Sequence, residues 1–315
     1  MNAIEARIQM LHQYRPELTK PADFEGFWDR VQLEAAESVR YTRNLVDSPF
    51  LQAEVYKVVI EGAANTSLHA WYMLPSAQLD QPIPCVVIYH GYTGSKGEPE
   101  DHAAWLLMGY AVLAIDVRGQ GGETGNGLPQ LNGMTKGWIT QGILDPETSY
   151  YRALAIDGLC AVRCAMDMPE IDPDKVFVFG ASQGGGLVLL VSALEPRIRA
   201  AIAHIPNMCH MDLGMLQSVS SLSEAAEFVT RFPHFQKEVF QTLSYFDIMN
   251  LAHQISLPVH VSVGLKDTTC LPETVFAAYN RIASSQKSLE VHPFMGHSMP
   301  VGFHSAGHSF FSQWL

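Results

Sequence analysis

The sequence predicts an α/β protein with a mostly parallel, doubly wound sheet and a helical cap insert. Three observations favour this fold. Short apolar runs rich in β-branched residues alternate with helical patterns along most of the 315 residues. Reactive side chains follow several predicted strands, at the edge where parallel sheets carry their sites. A mostly helical stretch rich in Phe and Met, residues 207–255, interrupts the alternation, so we expect a single domain, residues 1–315, that includes a cap.

The first part of the chain differs from the rest. Residues 1–50 are polar and predict an N-terminal helical segment. The stretches 54–61 and 68–73 alternate between polar and apolar residues, as in the two strands of a hairpin, with its turn at 62–65. Residues 123–149 are rich in Gly and have no clear period, which indicates an excursion from the sheet.

The remaining elements form the predicted α/β core. Buried strands are predicted where short, mostly apolar runs stand between helical patterns: 85–89, 111–115, 176–179, 200–204, 259–263 and 289–292. Helices are predicted where the apolar residues follow a helical pattern: 102–110, 149–168, 187–194 and 302–314.

One strand–turn–helix junction carries the pattern Gly-x-Ser-x-Gly, at residues 180–184. An apolar strand precedes it and an apolar helical pattern follows. In this context the pattern indicates a nucleophile elbow, a sharp turn that strains the Ser182 backbone and lifts its hydroxyl clear of the sheet. Strand and helix nearly touch at this turn, which explains why the small residue glycine stands at positions 180 and 184. The alternative is an ordinary strand–helix turn, and the flanking elements favour the catalytic interpretation.

Composition and charge limit the possible partners. The formal net charge is −12 and the pI is near 5.5, so the chain lacks the basic surface that would neutralise nucleic-acid phosphates. Hydrophobic residues make up 47% of the chain, yet no apolar run is long enough to span a bilayer. Residues 1–20 lack the apolar core of a secretion signal. We therefore expect no nucleic-acid or membrane partner and a cytoplasmic location.

The five cysteines predict neither a metal site nor disulfides. They are Cys85, Cys160, Cys164, Cys209 and Cys270, an odd number with no zinc-motif spacing. Cys160 and Cys164 lie one helical turn apart and could form half a metal site, but small buried side chains are the preferred interpretation. No cofactor or metal is expected, and free thiols suit a reducing compartment.

A serine nucleophile needs a base to take its proton and an acid to orient that base. In α/β-hydrolases the chain order is Ser, then Asp or Glu, then His, each in a loop after a strand. Asp267 follows the predicted strand 259–263, and His297 follows 289–292 in a Gly-His loop. The order and the strand-end positions agree, so Ser182, Asp267 and His297 are the candidate nucleophile, acid and base.

Other residues could fill the same roles. Asp212 and Asp247 lie in the helical insert rather than after a sheet strand, which makes them weaker candidates for the acid. Among the 13 histidines, His292 lies within a strand pattern, and His304 and His308 lie in the closing helix. His297 differs from them by its place in a strand-end loop.

The tetrahedral intermediate of acyl transfer needs two N–H donors for its oxyanion. One candidate is the backbone N–H of Gln183, directly after the nucleophile. The other is the backbone of Tyr92, which follows His90-Gly91 in the loop after strand 85–89. His90-Gly91 could also be an ordinary turn, but its place in the strand order favours an oxyanion loop. Tyr92 is also expected to contact the substrate, beside bulky side chains of the insert.

These residues together resemble carbohydrate esterase family 7, the acetyl xylan esterases and cephalosporin C deacetylases. The family motifs Arg-Gly-Gln and Gly-x-Ser-Gln-Gly appear here as Arg118-Gly119-Gln120 and residues 180–184. The third motif, His-Glu, appears as His297-Ser298, so Ser298 cannot supply the charge of that Glu. The likeness extends over nearly the whole chain. Other stretches that resemble the family are 24–28, 90–94, 142–157, 244–250 and 264–280.

The resemblance implies the same triad and the same two oxyanion donors as the residues do. It also implies a homohexamer whose active sites face an inner chamber. The expected function is that of a serine esterase that removes acetyl groups from small carbohydrates such as xylo-oligosaccharides, with cephalosporin C as a further substrate. The alternatives are a broader short-chain carboxylesterase, an acyl-peptide hydrolase, and a non-catalytic binding protein, which would have no need of an intact triad.

Overall fold

A nine-stranded sheet forms the centre of the computed structural model, which describes residues 2–35, 39–76, 81–131 and 137–315. The strands are β1 (Tyr41–Val46), β2 (Ala53–Gly62), β3 (Thr66–Pro75), β4 (Ile83–Tyr89), β5 (Ala111–Ile115), β6 (Ile171–Ala181), β7 (Ala200–His204), β8 (Val259–Gly264) and β9 (Lys287–His292). Across the sheet their order is β1-β2-β3-β5-β4-β6-β7-β8-β9.

The sheet has an antiparallel edge and a parallel body. The pairs β1–β2, β2–β3 and β3–β5 are antiparallel, and the five pairs that follow, from β5–β4 to β8–β9, are parallel. All residues of β5 and β7 are buried, because helices cover both faces of a parallel sheet. This arrangement confirms the predicted mostly parallel, doubly wound α/β fold, and the β2–β3 pairing confirms the predicted hairpin.

The helices lie between the strands and over both faces of the sheet. They are α1 (Ala3–Gln13), α2 (Phe24–Ala35), α3 (Ala103–Leu107), α4 (Tyr150–Asp167), α5 (Gln183–Leu194), α6 (Met211–Gln217), α7 (Ser221–Arg231), α8 (Gln236–Phe246), α9 (Ile248–Leu251), α10 (Pro272–Tyr279) and α11 (Phe303–Phe311). Short 3₁₀ turns lie at 63–65, 99–102, 233–235, 252–254 and 312–314. None of the helices in the described ranges is long and apolar enough to cross a membrane.

The prediction of a wholly helical segment over residues 1–50 is wrong at its C-terminal end. Helices α1 and α2 are present, but Tyr41–Val46 forms β1 and pairs with β2 at the sheet edge. Pairing with the next strand makes these residues a strand at the sheet edge, and their own sequence carried only a weak signal. Within the predicted excursion 123–149, residues 132–136 lie outside the described residues, and so do residues 36–38 of the N-terminal segment.

The insert over 207–255 is helical, as predicted, and comprises α6 to α9. Most of its Phe and Met side chains are packed in the core, Met208, Met215 and Phe228 among them. Helix α2 covers the insert from outside, and the Trp28 indole N–H donates to the Tyr245 carbonyl at 3.2 Å. The insert is therefore anchored to the N-terminal part of the chain.

A buried ion pair joins the loop after β5 to helix α4. The Arg118 guanidinium donates to both carboxylate oxygens of Asp157, at 2.6 and 2.7 Å, and to the Ala63 carbonyl at 3.0 Å. The Ala63 amide in turn donates to Asp157 at 2.9 Å. Both charged side chains are buried, so each depends on the other for solvation.

Asp157→Ala is expected to lower the free energy of unfolding by about 3–5 kcal/mol, because it leaves the Arg118 charge buried without a partner. Urea unfolding followed by circular dichroism measures the change. Asp167→Ala, at the exposed end of the same helix, is the control and should change the value by less than about 1 kcal/mol. Equal stability of the two variants would show that the pair is not a structural link.

Candidate active site

Ser182 lies in a strained turn between β6 and α5. Its backbone has φ 57° and ψ −122°, a region that side chains other than Gly rarely adopt. The surrounding backbone holds it there. The Ser182 amide donates to the His204 carbonyl at 3.0 Å, and its carbonyl accepts from Gly186 and Asn207, both at 2.9 Å. The strain predicted for the elbow is present, and the end of β7 helps to maintain it.

The two glycines of the motif allow α5 to pack closely against the strands β6 and β4. A β-carbon at Gly184 would lie 2.0 Å from the Tyr89 carbonyl oxygen, and one at Gly180 would lie 2.5 Å from the Gly184 backbone. Real β-carbons do not come that close to backbone atoms, so only Gly fits either position. The first turn of α5 consequently lies directly against the end of β4.

The structure brings Ser182, Asp267 and His297 together in one chain of hydrogen bonds. His297 Nε2 lies 2.9 Å from Ser182 Oγ, and His297 Nδ1 lies 2.8 Å from Asp267 Oδ2. The second carboxylate oxygen of Asp267 accepts from the amides of Thr269 and Cys270, at 2.8 and 2.9 Å. The Asp267 side chain is fully buried, whereas that of His297 is 29% exposed. A fixed acid thus orients a base that a ligand can reach.

The rival residues lie in other environments. The Asp247 carboxylate is buried and accepts from the amides of His210 and Met211, at 2.8 and 2.7 Å. Asp212 lies on the exposed side of α6, 3.2 Å from His210. His292 Nε2 lies 3.5 Å from the Glu290 carboxylate. Asp247 and Asp212 thus contact residues of the helical insert, and His292 contacts a residue of its own strand.

The histidines of the closing helix also have partners away from the triad. The rings of His304 and Trp105 lie 5.7 Å apart, and those of His308 and Tyr110 lie 5.8 Å apart, both in edge-to-face geometry. These contacts pack α11 against α3 and against the turn before β5.

The two candidate oxyanion donors lie in the loop after β4 and in the elbow turn at residues 180–184, which we call the two oxyanion loops. Gly91 passes so close that a β-carbon on it would lie 3.7 Å from Ser182 Cβ, and Tyr92 follows directly. Gln183 begins α5. Among the hydrogen bonds of the described residues, none uses the backbone amide of Tyr92 or of Gln183. Both amides are available for a ligand beside the Ser182 hydroxyl.

The side chain of Gln120 joins these two loops. Its Oε1 accepts from the Thr93 amide at 2.8 Å, and its Nε2 donates to Gln183 Oε1 at 2.8 Å and to the Tyr150 hydroxyl at 2.9 Å. The Tyr150 hydroxyl donates to the Arg118 carbonyl at 2.7 Å. The Arg-Gly-Gln segment therefore connects both oxyanion loops to the buried ion pair beneath them.

His90 fixes the shape of the first oxyanion loop. Its Nε2 accepts from the Val117 amide at 2.8 Å, and its Nδ1 lies 2.8 Å from the Gly91 carbonyl. Burial lowers the pKa of His90, so the ring is neutral at pH 7. An acceptor at Nε2 places the ring hydrogen on Nδ1, which donates to Gly91. The sequence placed His90 at the oxyanion loop but gave no sign of this role.

Tyr92 connects the oxyanion loop to the cap. Its hydroxyl donates to Glu224 Oε2 on α7 at 2.7 Å and accepts from the Trp138 amide at 3.0 Å. The Tyr92 and Trp138 rings meet edge to face, with centroids 5.3 Å apart. Burial, together with the Glu224 carboxylate, raises the pKa of Tyr92 and keeps its hydroxyl protonated. Sequence reasoning missed Glu224, because nothing in the α7 pattern separates it from the solvated acids around it.

This arrangement suits acyl transfer to Ser182. His297 can take the hydroxyl proton, Asp267 can stabilise the resulting imidazolium, and the amides of Tyr92 and Gln183 can stabilise the oxyanion. Every group that this chemistry needs belongs to the described part of one chain.

The whole chain matches a known family. The family model described as acetyl xylan esterase (AXE1) matches residues 1–314. Acetyl esterase Axe7A of Xylanibacter ruminicola is 27% identical over 296 residues, which is 88% of this chain and 64% of that protein. The chain therefore spans less than two thirds of that relative's length.

Two solved structures are similar over nearly their full length. An acetyl xylan esterase from Paenibacillus sp. R4 is 36% identical, with a TM-score of 0.93 over 98% of this chain and 99% of that one. Acetyl xylan esterase 1 from Thermoanaerobacterium sp. JW/SL YS485 is 32% identical, with a TM-score of 0.91 over 97% and 98% of the two chains.

Proposed function

Because this chain belongs to the acetyl xylan esterase family, we propose that it is a serine esterase acting on acetylated small carbohydrates. The substrate class is that of acetylated xylo-oligosaccharides, and cephalosporin C is a further candidate. The single observation that carries the proposal is the unbroken series Asp267–His297–Ser182, with donor–acceptor distances of 2.8 and 2.9 Å. This geometry activates a hydroxyl for attack on an ester carbonyl.

The reaction proceeds in two halves. Ser182 Oγ attacks the acetyl carbonyl while His297 Nε2 takes its proton, and the amides of Tyr92 and Gln183 stabilise the oxyanion. The sugar hydroxyl then leaves with the proton from His297. Water, activated by the same imidazole, hydrolyses the acetyl-enzyme and releases acetate. Asp267 holds the ring in place and stabilises its charged form in both halves.

The experiment that tests the substrate class is a hydrolysis screen. Acetylated xylo-oligosaccharides, cephalosporin C and an acetyl-peptide are compared by the acetate or the product released per enzyme. Preference for the acetylated sugars supports the proposal. Hydrolysis of the peptide alone would favour an acyl-peptide hydrolase, and no hydrolysis of any ester would favour a binding protein.

Gln120 is expected to act as a positioning residue for the oxyanion loops. Gln120→Ala should lower kcat by roughly 10–100-fold with little change in KM, because both loops lose a shared hydrogen-bond partner that helps to orient their donor amides. Gln141→Ala is the matched control, since its side chain bonds to Asn126 and to the Leu128 carbonyl instead. Steady-state kinetics on 4-nitrophenyl acetate measures both. An unchanged kcat for Gln120→Ala would contradict the role.

The acyl group is expected to be short. Tyr92 is held from two sides, by Glu224 and by the Trp138 amide. Its side chain therefore cannot easily move aside to make room for a longer acyl chain. We expect kcat/KM to fall steeply from acetyl to butyryl esters, because steric exclusion of the two extra methylenes adds to the discrimination of about 1–3 kcal/mol per methylene that a hydrophobic pocket gives. A series of nitrophenyl esters measures this. A flat profile to octanoyl would instead favour the broader carboxylesterase.

We further propose that the protein is a homo-oligomer, a hexamer as in the family it resembles, with its active sites facing an enclosed chamber. Phe294 and Val301, on either side of His297 in the chain, are large apolar residues left exposed, at 74% and 104%. Apolar side chains exposed beside a site favour contact with another surface. A second copy on this surface would enclose the opening to the triad.

The chamber has a consequence for polymeric substrate. Acetate release per ester group is expected to fall sharply as the oligosaccharide lengthens. Entry of the longer chain into the chamber would limit the rate, although the ester group that reaches the triad is the same. Sedimentation at micromolar concentration should show a species several times heavier than 34.8 kDa. A monomer that deacetylates insoluble acetyl xylan as fast as short sugars would contradict both statements.

A cytoplasmic location belongs to the same proposal. All five cysteines are free and buried, a state that suits a reducing compartment. Cell fractionation with an antibody to the protein tests the location, and recovery from the culture medium would contradict it.

A further inference from the structure

The Cys270 thiol completes a cluster of three metal-binding side chains in the active site. A carboxylate oxygen of Asp267, the Cys270 sulfur and a ring nitrogen of His297 all lie within 4.8 Å of one another. These are the donor types that zinc takes in proteins. We propose that this trio binds zinc or a similar soft divalent cation, and that the bound ion reversibly stops the esterase. The inhibition rests on the proposed function, whereas the binding does not.

The backbone places the three donors before any ion arrives. Asp267 Oδ1 accepts from the Cys270 amide at 2.9 Å, which folds the loop after β8 so that the residue three positions on returns to the carboxylate. The loop after β9 brings His297, and the Lys266 amide donates to the Met295 carbonyl at 3.0 Å to join the two loops. A site held by two fixed loops needs little reorganisation to bind an ion.

The Cys270 thiol is buried beside the Asp267 carboxylate. Cys270 is 2% exposed, and burial together with the Asp267 carboxylate raises the pKa of its thiol, while its contacts with the side chains of Ser182 and Asn207 lower it by a smaller amount. The proposed hydrolysis gives this thiol no task. Its neighbour His297, with a side chain 29% exposed, offers an ion the path from solvent.

Binding the ion removes the general base. Three metal–ligand bonds form, and one proton passes from the thiol to water. Asp267 enters as the carboxylate and His297 as the neutral imidazole, which gives the lone pair of one ring nitrogen to the metal. The other ring nitrogen then carries the hydrogen. Whichever nitrogen binds, no lone pair remains to accept the Ser182 proton, and water fills the fourth tetrahedral position.

The chemistry of the donors determines which cations inhibit. A thiolate selects zinc and cadmium over magnesium, which prefers oxygen ligands. We therefore expect zinc to inhibit at concentrations at which magnesium has no effect.

The test compares zinc inhibition in three proteins, each measured against its own zinc-free rate. The half-inhibiting Zn²⁺ concentration should be at least about tenfold higher in Cys270→Ala than in the wild type, because the variant lacks one of the three ligands. Cys160→Ala, a buried thiol on α4, should behave as the wild type. EDTA should restore the rate. Equal zinc sensitivity of all three proteins would overturn the proposal.

A spectroscopic measurement gives a readout that needs no activity. Co²⁺ added to the wild type, to Cys160→Ala and to the inactive Ser182→Ala should give the same thiolate-to-cobalt charge-transfer band. The band should be absent from Cys270→Ala, and from Cys270→Ser, which keeps the side-chain size if the alanine variant fails to fold. A band that survives in Cys270→Ser, or no band in the wild type, would show that the trio is not a site.

The two experiments separate the failure of the site from the failure of the proposed function. Normal hydrolysis that is insensitive to zinc, with no cobalt band, would overturn the metal site alone. A cobalt band that depends on Cys270, in a zinc-free protein that hydrolyses no ester, would overturn the esterase alone.

Discussion

Ser182→Ala is expected to lower kcat for acetyl ester hydrolysis by roughly 10⁴-fold or more while the protein stays folded. Alanine removes the hydroxyl that we propose as the nucleophile. It leaves the elbow in place, since the bonds from the Ser182 backbone to His204, Gly186 and Asn207 are main-chain bonds. The loss should therefore fall on chemistry and not on stability.

The control for this variant is a buried serine near the far end of α5, the helix that follows Ser182. Ser192→Ala changes a hydroxyl inside α5 and should retain activity near that of the wild type. A fluorophosphonate probe should label the wild type and Ser192→Ala but not Ser182→Ala. Substantial acetylesterase activity in a pure Ser182→Ala sample would mean that another residue is the nucleophile.

His297→Ala is expected to be nearly as inactive as Ser182→Ala. Members of a triad act as a unit, so removing the base costs about as much as removing the nucleophile. His297 Nε2 is the ring nitrogen 2.9 Å from Ser182 Oγ, and without it the hydroxyl keeps its proton. The double variant Ser182→Ala/His297→Ala should be no slower than either single variant, which steady-state and single-turnover kinetics measure.

The matched controls are histidines from neighbouring elements. His292→Ala removes a ring that lies beside Glu290 on β9, and His304→Ala removes one that packs on Trp105. Both should keep most of the activity. Loss of activity in either control, with His297→Ala still active, would assign the base to a different residue.

The sequence was most informative where local pattern and burial agree. Strands such as β5 and β7 are apolar throughout because both faces are covered, and that pattern is visible in a short window. The elbow was also visible, because its geometry needs Gly at two fixed positions around Ser182. The predicted site residues Asp267 and His297 could be placed because parallel strands bring their carboxyl ends to one edge.

Other features depend on contacts that no short window contains. Strand β1 exists because Tyr41–Val46 pairs with β2. Glu224 lies 132 positions from Tyr92 in the chain, and its carboxylate differs from its neighbours only through burial. The ring hydrogen of His90 is set by the Val117 amide, a partner that comes from the next strand end. Each of these needs the fold before it can be recognised.

The junction between β7 and the cap limits how the cap could be exchanged between relatives in a chimaera. Asn207 opens the insert, yet its amide bonds to the Ser182 carbonyl, and its own carbonyl leaves no room for a β-carbon at Gly186. Three non-glycine residues at this boundary, Ile205, Met208 and His210, have positive φ. A graft that starts at residue 207 would replace part of the support of the nucleophile together with the cap. A graft that starts downstream of His210 would leave these contacts with the elbow in place.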